Sequence, residues 1–295
     1  MIKNFSELES LLQSRQNKPN LGVVCAHDMH TLEAIKEAVD KGLISAVLIG
    51  KQEIIEKFVE DLAIPKDAIT IIASDSDEES AAIGVALVRN QRITVLMKGK
   101  IQTKDFLKAV VNSETGIKES EVLSHFSIHE IPTYHKILAI TDGGMVLYPN
   151  LEEKKAIVKN AVTVFKRLGY ETSKVAALAA VEVVNPKMQE TVDAAALKLM
   201  DIPGCILEGP ISYDLAFSKE SARIKGYTSD IVGDADILLV PNIATGNILS
   251  KALIYSAGAR MAGIIIGAKV PIVLTSRGAS ADEKYYSIVL GTLYN

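Results

Sequence analysis

Residues 21–49, LGVVCAHDMHTLEAIKEAVDKGLISAVLI, hold one complete period of the pattern that organises the chain. Leu21-Gly22-Val23-Val24-Cys25 is a short β-branched run, which reads as a buried strand. Between Thr31 and Val39, Leu32, Ile35 and Val39 recur at helical spacing, and Ala46-Val47-Leu48-Ile49 is the next strand. Strand, crossover helix, strand is the unit of a parallel sheet, because parallel neighbours need a long connection. The same reading expects strands at residues 69–72, 94–97, 136–140, 175–178, 205–207, 237–240 and 271–275. Helices fill most gaps, one of them an apolar helix over 248–264 placed as an interface candidate. The expected class is α/β with mostly parallel sheets.

A length of 295 residues suggests two compact units. Hydrophobic residues at 48% and charged residues at 23% match a globular protein rather than a disordered one. Lys and Arg (32) interleave with Asp and Glu (36) for a net charge of -4, so no broad basic face is offered to nucleic acid. The mean hydropathy of +0.21 belongs to buried strands, since no apolar run approaches the roughly 20 residues that span a bilayer. Met1 to Glu9 reads as the opening of an amphipathic helix and not as a signal peptide. Cys25 and Cys205 form no disulfide framework, and a reducing, cytoplasmic location is the expectation.

Ligand sites of parallel sheets lie at the carboxyl ends of strands, where loops lead into helix N-termini. Pro271-Ile-Val-Leu-Thr-Ser276-Arg277-Gly278-Ala279-Ser280-Ala281-Asp282-Glu283-Lys284 is such a junction. Ser280 and Glu283 fit a capping box, which puts a positive helix end beside Arg277. A guanidinium at that place suits a phosphate or carboxylate, and pairing with a neighbouring carboxylate competes evenly with it. Asn247 and Lys251, four apart after the strand at 237–240, share a helix face, although for this stretch taken alone a capping Asn and a solvated Lys are the better reading. Lys98-Gly99 ends another strand, with Thr103 as the expected helix cap, and Glu208-Gly209-Pro210 with Asp214 reads as a turn after a strand. Asp214 is weighed equally as a cap and as a ligand acceptor. Cys25 beside His27 reads as a buried structural thiol before it reads as a nucleophile. His27 with His30, and His125 with His129, lack the partner spacing of a zinc site, and no phosphate-loop or dinucleotide fingerprint comes after any strand.

Taken together, these loops resemble the phosphate acetyl/butyryltransferase family, most closely its short butyryltransferase branch. The most specific matches are residues 234–251, DADILLVPNIATGNILSK, and 271–284, PIVLTSRGASADEK; 97–103 and 184–191 resemble the butyryl branch more than the acetyl one. The resemblance implies two isocitrate/isopropylmalate dehydrogenase-like α/β domains, 1–134 plus 265–295 and 135–264, with the active-site cleft between them. It further implies acyl-CoA + phosphate = acyl phosphate + CoA, with CoA and phosphate as substrates and no cofactor or metal. Ser276 and Arg277 would then be catalytic, with Glu283 or Asp282 as general base. Lys98, Gly99, Thr103, Gly209, Pro210, Asp214, Asn247, Lys251 and Gly278 would bind substrate. Lys108 and Asn242 stand where the acetyl branch carries Arg and often Asp. A homodimer or higher homo-oligomer is implied as well. A metal-dependent hydroxy-acid dehydrogenase and a non-catalytic binding protein are the competing readings.

Overall fold

The computed structural model describes residues 1–15, 18–276 and 278–294. The chain divides into two compact units, Phe5–Glu119 with Ala262–Asn295 and Met1–Asn4 with Ser120–Met261. The first unit runs through α1 (Phe5–Gln13), β1 (Asn20–Val24), α2 (Met29–Asp40), β2 (Ser45–Gly50), α3 (Gln52–Asp61), β3 (Ile69–Ala73), α4 (Asp77–Arg89), β4 (Val95–Lys98) and α5 (Thr103–Val110). The second holds β5 (Ser124–Glu130), β6 (Leu138–Thr141), α6 (Leu151–Arg167), β7 (Ser173–Leu178), α7 (Gln189–Lys198), β8 (Cys205–Ile211), α8 (Tyr213–Phe217), α9 (Lys219–Lys225), β9 (Ile237–Leu239) and α10 (Ile243–Ala257). With β10 (Arg260–Ile266), β11 (Ile272–Val273) and α11 (Ala281–Leu293) the chain returns to the first unit.

In the first unit the strand order is β3-β2-β1-β4-β11-β10, parallel except for the β10–β11 pair. Val24 lies opposite both Ile49 and Lys98, so the loops after β1, β2 and β4 leave the sheet at one end. Leu32, Ile35 and Val39 of α2 are buried, as their spacing predicts. Residues 284–293 of α11 are buried throughout, and the helix can lie close to the sheet because residue 291 is Gly: a Cβ there would stand 3.2 Å from both Val273 Cγ2 and Val95 Cγ1. Tyr285 keeps its hydroxyl satisfied by donating to Glu9 (2.8 Å) and accepting from Lys41 (3.1 Å).

The second unit orders its strands β5-β6-β9-β7-β8, with β5–β6 antiparallel and the others parallel. Leu138, Ile140, Ala176, Leu178, Ile211 and Leu238 join its buried core. Lys136, whose side chain is wholly buried, meets Asp236 at 2.6 Å and Asp234 at 2.9 Å, while Asp236 also accepts the Lys174 backbone N–H at 2.7 Å. This pair binds the starts of β6, β7 and β9 together; removing one partner would strand a buried charge at a cost of about 3–5 kcal/mol.

Three local expectations are corrected. The helix expected over 248–264 ends at Ala257, because Gly258 takes the left-handed conformation (φ 68) that closes a helix, and the β-branched run beyond it pairs as β10, Ile265 opposite Ile272. Glu208-Gly209-Pro210 is not a turn but part of β8, where a Cβ on Gly209 would lie 2.8 Å from Ala177 Cβ; the glycine serves close packing. Thr103 is the first residue of α5, and Gln102 occupies the cap position without a side-chain capping hydrogen bond to the helix. Among the described residues, no helix is long and apolar enough to cross a membrane.

Candidate active site

The junction before α11 opens as its sequence predicts. β11 ends at Val273, Ser276 and Gly278 are exposed, and Ser280 caps the helix by accepting the Glu283 N–H at 3.1 Å. Ser276 Oγ accepts the Gly278 N–H at 3.1 Å and its carbonyl accepts the Ala279 N–H at 3.1 Å, so the loop folds back around the serine. A hydroxyl that accepts in this way still has its own proton to donate. Arg277, the centre of the sequence reading, lies outside the described residues. Asp282 is exposed, whereas Glu283 is half-buried, and burial pushes its carboxyl above the usual range while neighbouring Lys284 pulls the other way.

At the end of β4, Lys98 is half-buried and donates through Nζ to the Gly99 carbonyl at 3.1 Å. Gly99 is required here: a Cβ would stand 2.4 Å from Cys25 O and 2.7 Å from Val24 O. Its N–H donates to Val24 O at 2.8 Å, so the Lys98-Gly99 turn and the loop after β1 form one surface. In that loop Asp28 caps α2, accepting from Thr31 N–H at 3.1 Å. Cys25 is fully buried, donates to Asp77 at 3.4 Å, and burial pushes its thiol up to about 12. A thiol so far from ionisation is a structural group and not a nucleophile.

The second unit treats its candidates differently. Asn242, not Asn247, caps α10, accepting from Thr245 N–H at 3.0 Å. Asn247 sits in the next turn, exposed, with Nδ2 donating to the Gly143 carbonyl at 3.4 Å, and Lys251 is exposed one turn beyond. Asp214 lies in α8, which begins after Ser212; hydrogen bonds from Ser212 and Lys225 hold its carboxyl below the usual range, and Lys225 stands 3.1 Å away. Glu208 accepts from Lys198 (2.6 Å), Ser229 (2.9 Å), Tyr227 (3.1 Å) and the Gly209 N–H (3.2 Å).

The loop after β6 lies outside the motifs drawn from the sequence. Asp142 there is buried and accepts four backbone N–H groups, from His125, Gly144, Met145 and Val146. Asp-Gly-Gly after a strand is the signal that marks it. His125 and His129 lie on one face of β5, and burial lowers both, His129 to about 3. Among the described residues, no group of three or more His, Cys, Asp or Glu is placed to hold a metal.

The model of the family described as phosphate acetyl/butaryl transferase matches residues 75–292. The phosphate butyryltransferase of Clostridium acetobutylicum is 37% identical, with 99% of this chain and 98% of the relative covered. The phosphate acetyltransferase of Thermotoga maritima is 39% identical, covering 97% and 99%. A branched-chain phosphotransacylase from Enterococcus faecalis superposes with a TM-score of 0.84 at 31% identity over 94% of this chain and 98% of that one. Loop for loop, the junction before α11 and the β9–α10 segment fall within the matched region, and the chain belongs to the phosphate acetyl/butaryl transferase family.

Proposed function

We propose that this chain is an acyltransferase that carries a butyryl or another short or branched acyl group between coenzyme A and inorganic phosphate, reversibly. The observation that carries the reading is near-full-length similarity, above 35% identity, to proteins named phosphate butyryltransferase and phosphate acetyltransferase. In the thioester-forming direction the CoA thiol, an alkyl thiol like that of cysteine (about 8.5), must lose its proton. Glu283 is the proposed base, because burial has made its carboxyl a better proton acceptor than an exposed one. The thiolate attacks the acyl carbonyl, the Ser276 hydroxyl donates to the oxyanion, and Arg277 holds the departing phosphate in a bidentate grip. All groups in this scheme are protein side chains, so no cofactor or metal is proposed beyond the two substrates.

Lys98, Thr103, Gly278, Asn247 and Lys251 are the proposed substrate-binding groups, with Gly99, Gly209 and Pro210 shaping backbone and Asp214 steering Lys225. A cytoplasmic homo-oligomer is proposed. The test is turnover across a series of acetyl-, butyryl- and branched acyl-CoA with phosphate. Butyryl or branched substrates should lead, and Arg277→Ala should cut turnover by roughly 100-fold or more while the fold persists. Near-normal turnover of that variant contradicts the assignment. A metal-dependent dehydrogenase would instead lose its activity to a chelator.

A further inference from the structure

The Asp142 carboxylate is 2% exposed and spends its oxygens on backbone. Oδ1 accepts from Gly144 (2.7 Å) and Met145 (2.8 Å); Oδ2 accepts from His125 (3.0 Å) and Val146 (3.1 Å). One side chain therefore fixes the path of residues 142–146 and ties it to β5. That path is the seat of α10. A Cβ on Gly143 would stand 3.0 Å from the Gly246 carbonyl carbon and 3.3 Å from Asn247 N, and a Cβ on Gly246 would stand 2.7 Å from Gly143 Cα. Backbone meets backbone at this point, and Asn247 Nδ2 reaches the Gly143 carbonyl. On the opposite side His125 supports the loop, since a Cβ on Gly144 would lie 3.0 Å from His125 Cγ.

We infer that Asp142 is a positioning residue for acyl transfer: by fixing Gly143 it sets the height at which the first turns of α10 dock, and with it the placement of the Asn247 amide and the Lys251 ammonium. The inference rests on the proposed reading of Asn247 and Lys251 as substrate-binding groups. A rigid contact of glycine against glycine transmits a shift of the loop directly, because no side chain intervenes to absorb it. Misplacing a substrate-holding group by about 1 Å costs on the order of 100-fold in rate.

The experiment is a double-mutant cycle read in kcat and KM for CoA and phosphate. Asp142→Asn replaces one accepting oxygen by a donor and breaks two of the four N–H bonds. It should lower kcat/KM by roughly 10- to 100-fold, and Asn247→Ala should lower it too. The double variant should be no worse than the poorer single one, because both changes remove the same placement. Gly143→Ala leaves Asp142 intact, lifts α10 directly and should show the same kinetic defect and the same non-additivity, so the test survives if Asp142→Asn fails to fold. Additive kinetic losses in both cycles, or effects confined to melting temperature, would overturn the inference. Unchanged kinetics in both Asn247→Ala and Lys251→Ala would overturn it also, since nothing would remain to be positioned. A wild-type enzyme with no phosphate-dependent turnover would instead bring down the acyl-transfer reading itself.

Discussion

Glu283 and Glu208 are both glutamates shielded from solvent beside a loop, and their surroundings drive them in opposite directions. Burial would raise either carboxyl. Around Glu208, hydrogen bonds from Lys198, Ser229 and Tyr227 outweigh burial and bring it below its ordinary value. Around Glu283, burial prevails over the single cation Lys284 and the carboxyl is raised. A carboxylate whose acceptor sites are all used holds structure, whereas one left with basicity to spend is suited to take a proton. The contrast separates a structural acid from a chemical one by environment, since the side chain is the same.

The contrast breaks first at Glu283. Glu283→Gln should lower kcat by about 100- to 10,000-fold in a steady-state assay, while its melting temperature at pH 7 stays equal or rises, because a buried charge is removed. The pH dependence sharpens it. Because the folded carboxyl is raised, the rate falls as pH drops through a value above 4.5, and this acid limb should vanish in Glu283→Gln. For stability the sign runs the same way: the native state favours the protonated form, so the stabilisation is present below 4.5 and lost as pH rises through the raised value. The stability advantage of the Gln variant should therefore shrink as pH is lowered.

At Glu208 the expectation inverts. Its carboxyl is lowered, so its contribution is present at neutral pH and is lost as pH falls below 4.5. Glu208→Gln should leave kcat within about threefold of wild type and cost about 1–2 kcal/mol in thermal unfolding, a modest loss because Lys198 is half exposed. The smallest effect belongs to Asp282→Asn, with kcat changed by about threefold or less. A larger drop than in Glu283→Gln would move the base to Asp282.

The first strand-helix-strand period pointed to the α/β class because there a short β-branched run stands beside apolar residues at helical spacing, and the Ser280 cap was legible for the same local reason. The features that escaped the sequence depend on the folded backbone and its packing rather than on residue spacing. Gly-Pro usually signals a turn, yet Gly209-Pro210 lies in β8, paired with β7, where Ala177 and Ala194 leave no room for a Cβ at residue 209. The apolar stretch after α10 reads as helix, but Gly258 ends that helix and the residues beyond it pair with β11. Asp142 was missed since its role is defined by four N–H groups that only the folded loop presents. The junction that carries Ser276 and Glu283 was legible because it is contiguous in sequence, and the preference for Glu283 over Asp282 as the proposed base rests on burial.

The central claim is tested most directly by measuring free thiol released from butyryl-CoA with and without inorganic phosphate. Acyl transfer to phosphate predicts CoA release that requires phosphate, saturates with it and yields stoichiometric butyryl phosphate. Release that is indifferent to phosphate, or none at all, would contradict it.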